Sequence, residues 1–552
     1  MSTTIAVLGG VGLFLLGMSV MTSGLKALAG SGLRTTLSRA ARTPLSGAFW
    51  GAFVTLLIQS SSATTMTTIG LVSAGLLTFS QGLGLVFGAN VGTTGTGWLI
   101  ALIGVRVSLT AWALPMIFIG ALIKLIGRGR VAASGAALAG FALVLYGLTT
   151  LQQGMGGLAE RLRPADLPAI YGAGLPVWSS ALSVLALIAI GLAMTAVMQS
   201  STASIAVTLS AYFAGAVGLD QACALIIGQN IGTATSSAMA AIGASSTAKR
   251  LALAYILFKV IAAVIALVFF PITTPLLIRA SRDIDGVTLL AGYHTAYNVV
   301  GVVVLLPLID RFTRFVERLL PERASPLTRC LDRAALVTPL AAEEAVRRTV
   351  ARALGAMCGS IGAALTPAPA GSPAPARSGS IPVTEAAEAL RQAREFASET
   401  SGPPESEEEE RRLTNTLHAL DNASRLVEVA SQKDGPGATP GGPEEAHAAQ
   451  LCAEAMRHAA SIAENVGALP DETEEPKARD GTPTQHALIQ LGNCATTLRE
   501  LQPAHRKATL SSVAGGGVSA DAAIARVDTV RRLDELAHHA WRSAAHLVEA
   551  GA

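Results

Sequence analysis

Acidic residues are missing from the first 159 positions of this 552-residue chain; the first is Glu160. Charged residues of either sign make up 14% of the chain and aromatics 5%, while 51% is hydrophobic and mean hydropathy is +0.48. Soluble globular domains carry about 25% charged residues. An ordinary soluble enzyme and a disordered chain are therefore both excluded. The five cysteines, Cys223, Cys330, Cys358, Cys452 and Cys494, are dispersed and form no CxxC pair, which excludes a disulfide scaffold and a zinc or redox motif. The N-terminus has no basic region and no small-residue cleavage site, so it reads as a retained membrane helix rather than a signal peptide.

The charge that is present is unevenly placed. Residues 1–310 hold 15 Lys+Arg and 6 Asp+Glu, whereas residues 311–552 hold 26 and 32. Ionisable groups at mid-bilayer are costly. The first part therefore reads as a membrane body and the second as a soluble segment. Apolar runs at 4–25, 83–103, 108–127, 133–152, 222–243, 251–275 and 287–310 approach the roughly 20 residues needed to span a bilayer. Two further runs, 46–79 and 177–218, are interrupted by Gln59-Ser60-Ser61-Ser62 and Gln199-Ser200-Ser201-Thr202. Lipid offers exposed backbone no partner, so such breaks must face protein or water. Both runs are expected to be helical hairpins with their tips inside the membrane.

An internal repeat joins these breaks. QSSSATT at 59–65 precedes GANVGTT at 88–94, and QSSTASI at 199–205 precedes GQNIGTA at 228–234. Residues 59–93 and 199–233 share 13 identities in 35 positions at an offset of 140. An upstream echo at an offset of 130 pairs Gly17 with Gly147, Gly24 with Gly154 and Leu28 with Leu158. If the hairpins do not cross, each repeat holds an odd number of spans and the second copy inserts upside down. Basic residues favour the cytoplasmic side. Lys26, Arg34, Arg39 and Arg42 in loop 26–45, Arg128/Arg130, Lys249/Arg250 and Arg311/Arg314/Arg318 then fall inside, with only Arg106 disagreeing. The N-terminus is expected outside and the C-terminal segment in the cytoplasm.

One serine cluster on its own is explained by close helix packing. Two at matched spacing, with helices interrupted in corresponding places, mark a transporter site at a repeat interface. Hydroxyls and exposed N–H ends suit an oxyanion, and carbonyls, hydroxyls and amide oxygens suit a hard cation. No carboxylate in either motif would repel an anion. Lys259, inside ILFKVIAAV, is expected to snorkel; the alternative is a charge offered to an anion path.

QSSS and QSST, each followed by G-x-N-x-G-T, resemble the sodium-dependent phosphate cotransporter family. The segment His294-Thr295-Ala296-Tyr297-Asn298 is similar to the H-T-x-[FY]-N of its last helix. The resemblance covers about 1–310 and implies sodium-coupled symport of inorganic phosphate at the bacterial inner membrane, with no resident cofactor and no metal beyond the transported sodium. By the motif match it places phosphate and sodium at Gln59, Ser60, Ser61, Ser62, Thr64, Asn90 and Thr93, and at Gln199, Ser200, Ser201, Thr202, Asn230 and Thr233. Asn298 is expected to join them, with His294 and Thr295 as further candidates; an interhelical bond is the plainer reading of His294 and Asn298. The rival functions are phosphate sensing, another oxyanion, and efflux. No nucleophile–base set or phosphate loop supports an enzyme, and nothing suggests nucleic acid.

The expected fold class is all-α: a polytopic membrane domain of two inverted repeats and two hairpins (1–310, with repeats at about 4–130 and 131–275 and a final helix at 287–310), then a cytoplasmic helical bundle. In the bundle half, 311–363 connects, with an amphipathic helix over 327–363 carrying Arg347, Arg348 and Arg352 on its polar side. Residues 364–382 form a Pro/Ala/Ser linker, and 383–552 carries helices at 383–400, 410–432, 444–467, 484–502 and 520–549. HALDNASRLVEVA at 418–430 is similar to a helix of PhoU-type regulatory domains, which implies either sensing of phosphate status or a cytoplasmic regulator as partner. A homo-oligomer is a further candidate assembly.

Overall fold

The computed structural model describes residues 3–104, 110–160, 163–170, 177–240, 242, 246–321, 325–366, 383–400, 404, 406–432, 442–468 and 482–551. Among them there is no strand. The all-α expectation holds. Two compact units emerge: residues 1–69 with 79–322, and residues 70–78 with 323–552.

The first unit runs α1 (Thr3–Ala40), α2 (Pro44–Ile58), α3 (Ser61–Ser73, of which residues 70–73 count with the second unit), α4 (Phe79–Thr93), α5 (Gly95–Leu99), a π-helical turn (Ile100–Gly104) and α6 (Thr110–Ile126). It continues with α7 (Arg130–Ala159), α8 (Val177–Met198), α9 (Ser201–Phe213), α10 (Leu219–Gly232), α11 (Ala234–Ala240), α12 (Ser246–Ala280), α13 (Gly286–Leu305) and α14 (Ile309–Leu319). The stretches Thr3–Gly30, Phe79–Leu102, Arg130–Ala159, Trp178–Met198 and Ser246–Ala280 are long and apolar enough to cross a membrane. The chain is a membrane protein.

Glycines let these helices touch backbone to backbone. A Cβ on Gly17 would lie 2.6 Å from the Val144 nitrogen, and one on Gly147 would lie 2.5 Å from the Phe14 nitrogen. Likewise Gly24 meets Ala137 while Gly154 meets Val7, and Gly10 meets Leu151 while Gly140 meets Met21. Each pair exchanges roles at the 130-residue offset, so α1 and α7 pack antiparallel and reciprocally, as a two-fold contact requires. Helices α2 and α4 run parallel instead, through Pro44–Gly84, Ala48–Gly88 and Ala52–Gly92. Helix α3 therefore returns the chain between them. At 1.5 Å per residue, the 15 residues of α2 reach about 22 Å, short of a full crossing. Its counterpart α8 has 22 residues and is long enough to cross.

Several boundaries differ from expectation. Loop 26–45 is helical to Ala40, broken at Gly30, whose φ of 57° only glycine adopts without strain. The run 83–103 is divided at Thr94 and the run 222–243 at Thr233. The final helix stops at Leu305, because Pro307 lacks the N–H that a regular helix needs, and a 3-10 turn leads into α14. Phe312 of α14 packs edge-on against Phe87, centroids 5.8 Å apart, so α14 belongs to the first unit and the division falls at 322 rather than 310. Arg106 lies outside the described residues.

In the second unit Ser73 donates to Asp332 at 2.7 Å. The helix expected at 327–363 is shorter. A 3-10 turn (Arg333–Val337) precedes α15 (Pro339–Leu365), which starts where Thr338 caps the Ala341 N–H and Pro339 fills the first position. Then come α16 (Val383–Ser398), α17 (Glu407–Ala430), α18 (Pro443–Gly467), α19 (Thr482–Ala514) and α20 (Ala520–Gly551). Residues 367–382 of the expected linker lie outside the described residues. Ser406 caps α17, and Glu407 to Glu410 fill its first turn, complementing the helix dipole. The polar side of α15 is not solvated: Arg347 and Arg348 are 8% and 6% exposed. Both embrace Glu344, at 2.8 and 2.7 Å, and Arg412 bridges Glu344 and Glu343 at 2.9 Å each.

Candidate functional site

The two motifs build nearly identical helix breaks. Gln59 follows α2 and Gln199 follows α8, with φ of 56° and 52°. Among the described residues they are the only non-glycines at positive φ. Such a conformation is strained for a side-chain-bearing residue and persists only when its surroundings hold it. The glutamine side chains do the holding. Gln59 Nε2 donates to the Leu56 carbonyl, capping the end of α2, and Gln199 Nε2 does the same at Ala196 for α8. On the other side, Gln59 Oε1 accepts from Thr96 and Gln199 Oε1 accepts from Ser236 at 2.7 Å. Thr96 and Ser236 are themselves related by the 140-residue offset. Neither was singled out in the sequence, although that offset points to both.

The next residue of each motif starts the returning helix. Ser60 Oγ accepts the Ala63 N–H at 3.3 Å and Ser200 Oγ accepts the Ala203 N–H at 3.2 Å. These two serines are spent as caps. Thr64 donates back to the Ser60 carbonyl and receives a hydrogen bond from Thr55 at 2.8 Å, which ties α2 to α3. The hydroxyls of Ser62, Ser201 and Thr202 make no hydrogen bond among the described residues, and they stand at the N-terminal ends of α3 and α9, where N–H groups lack helical partners. Ser62 is exposed, Thr202 is half-buried and Ser201 is 6% exposed. The Tyr255 hydroxyl lies beside Ser61 and Thr233, so the first tip meets the second repeat's break. Helix α9 in turn packs on α5, beside the first repeat's break.

Helix α13 links both breaks. Thr295 donates to Thr94 at 3.0 Å and accepts from the Trp98 indole at 2.9 Å. Asn298 Oδ1 accepts from Asn230 Nδ2 at 3.2 Å, while Asn298 Nδ2 donates to the His294 carbonyl at 2.8 Å. The interhelical bond foreseen for this segment runs to Asn230; His294 is buried, with Nδ1 unpaired among the described residues. Thr93 and Thr233 bond back to Ala89 and Asn230 carbonyls at 2.9 Å each, and Asn90 bonds to Val86. Lys259 does not snorkel. It is 2% exposed and Nζ donates to Asn230 Oδ1 at 2.9 Å. Buried oxygens without partners among the described residues sit nearby in sequence: Thr65 Oγ1, Thr195 Oγ1 and Gln229 Oε1. Buried polar atoms are nearly always satisfied, and unpaired oxygens are what a hard cation takes.

A profile described as Na+/Pi-cotransporter matches residues 13–153 and 179–278. YqeW of Bacillus subtilis (strain 168), an uncharacterized protein, is 30% identical over 310 residues, covering 56% of this chain and 96% of that protein. YjbB of Escherichia coli (strain K12), provisionally named an inorganic phosphate export protein, is 30% identical over 362 residues, 63% of either chain. Human sodium-dependent phosphate transport protein 2B is 33% identical over 103 residues, 18% of this chain and 15% of that one. No solved structure matches. The chain belongs to the Na+/Pi-cotransporter family, a family of phosphate transporters and not of enzymes.

Proposed function

We propose that this chain is a secondary transporter that carries inorganic phosphate together with sodium across the bacterial inner membrane by alternating access. The observation that carries this reading is the pair of glutamine-braced helix breaks, each presenting uncommitted hydroxyls at a helix N-terminus. An oxyanion is stabilised there by free N–H groups and the helix dipole. Sodium would take amide and hydroxyl oxygens around the same breaks, as cargo rather than as a resident cofactor. The reciprocal contacts of α1 and α7 support two inverted repeats, which would rock against each other around the tips. The N-terminus would lie outside and the helical bundle in the cytoplasm, where its similarity to PhoU-type domains suits a regulatory partner. Outward transport is the second reading, favoured by the similarity to YjbB. The test of the site is Ser61→Ala and Ser201→Ala: both should insert normally and lose sodium-dependent phosphate uptake, and normal uptake in both overturns the assignment.

A further inference from the structure

The buried lysine has a place in the repeat pattern. Tyr255-Ile256-Leu257-Phe258-Lys259 of α12 and His294-Thr295-Ala296-Tyr297-Asn298 of α13 share one register, aromatic or imidazole ring first, aromatic fourth and polar fifth. The two fifth positions converge on one side chain: Lys259 Nζ takes Asn230 Oδ1 at 2.9 Å and Asn298 Oδ1 takes Asn230 Nδ2 at 3.2 Å. Lys259 makes no ion pair among the described residues; its ammonium lies 5.0 Å from the Tyr255 ring centroid. An uncompensated buried charge is costly and persists where function requires it.

The two repeats differ at this point. Asn90, the repeat-mate of Asn230, gives its Nδ2 to Val86 at 2.9 Å, while its Oδ1 accepts nothing among the described residues. Asn230 Oδ1 already accepts from Lys259 Nζ. A carboxamide oxygen is a ligand for a hard cation, not for an anion, and an ammonium is a compact point charge that satisfies such oxygens.

Building on the symport reading, we propose that Lys259 is a built-in cation that stands in for one transported sodium at Asn230. The chain then needs one sodium fewer per phosphate than it would with a neutral residue at position 259. Asn90 keeps its oxygen free for a sodium of its own. Bound phosphate supplies the negative charge that the lysine lacks.

The test is K259N, which gives α12 the neutral residue that α13 carries in the same register. Purified full-length wild type and K259N in proteoliposomes are compared for the ratio of radiolabelled sodium to phosphate moved. The ratio should rise by one sodium per phosphate in K259N. An unchanged ratio overturns the proposal, including the case where K259N weakens phosphate affinity alone, which would make Lys259 a phosphate ligand. Thermal stability titrated with sodium, without phosphate, decides the case if K259N is inactive. The variant should show a steeper sodium-dependent rise than wild type, and superimposable curves overturn the proposal. Wild type that moves phosphate without sodium contradicts the symport reading, whereas the wild type–K259N difference judges Lys259 separately.

Discussion

Ser236 donates a hydrogen bond of 2.7 Å to Gln199, and this bond holds a glutamine in a backbone conformation that glutamine rarely adopts. A net side-chain hydrogen bond is worth about 0.5–1.5 kcal/mol, so Ser236→Ala should cut transport about three- to tenfold without affecting membrane insertion. Ser236→Thr should restore it, because the first repeat uses Thr96 in the same place. Initial transport rates at matched amounts of inserted protein check this.

Thr295 of α13 bonds to Thr94 and receives the Trp98 N–H. Thr295→Val keeps the shape, leaves the Trp98 N–H without its acceptor and takes from Thr94 the hydrogen bond it accepts, at about 1–3 kcal/mol. Transport should fall about tenfold or more, and Thr295→Ser should retain most of it. Because Thr295 is half-buried rather than at a tip, the thermal midpoint should also fall in the valine variant only.

Gly88 and Gly228 carry the closest backbone-to-backbone helix contacts of the described glycines. An added Cβ would stand 1.9 Å from the Ala48 and Ile188 carbonyl oxygens respectively. Gly88→Ala and Gly228→Ala should each cost stability at the upper end of about 1–3 kcal/mol and reduce the monodisperse fraction on size-exclusion chromatography. Gly9→Ala, whose Cβ would meet nothing within 4 Å, should behave as wild type.

Glu344 contributes to the acid stability of the bundle. Burial opposes its ionisation, but Arg347, Arg348 and Arg412 outweigh burial and hold its carboxyl at about 2, against 4.5 ordinarily. A folded pKa below the unfolded one stabilises fully above pH 4.5, and that stabilisation is lost as pH falls through about 2. Its neighbour Glu343 is pushed up by burial and has the opposite sign, so the acid lability belongs to Glu344. Glu344→Gln leaves Arg347 and Arg348 without their carboxylate, while Arg412 keeps Glu343, and should destabilise α15 by about 3–5 kcal/mol, read as faster amide hydrogen exchange in that helix of the full chain.

Much of this was legible in the sequence because a duplication shows itself twice. The helix breaks at Gln59 and Gln199 follow from polar clusters that no lipid-facing helix tolerates. The role of each motif residue was less legible, since Ser60 and Ser200 match their neighbours in chemistry and differ only in being caps. The interior position of Lys259 was misread, because a single lysine in an apolar run looks the same whether it reaches out to water or in to Asn230. The buried arginines of α15 were misread for a similar reason: a helical stripe of charge reads as solvated until Glu344 and Arg412 are seen to meet it. Residues brought together across a separation of 201, such as Thr94 and Thr295, leave no local signal.

The most direct measurement is phosphate flux in proteoliposomes of the purified full chain under an imposed sodium gradient. Phosphate movement that follows the direction of the sodium gradient, stops when the gradient is collapsed and disappears in Ser61→Ala and Ser201→Ala is the predicted result. Phosphate movement indifferent to sodium, or unaltered in both serine variants, would contradict the account.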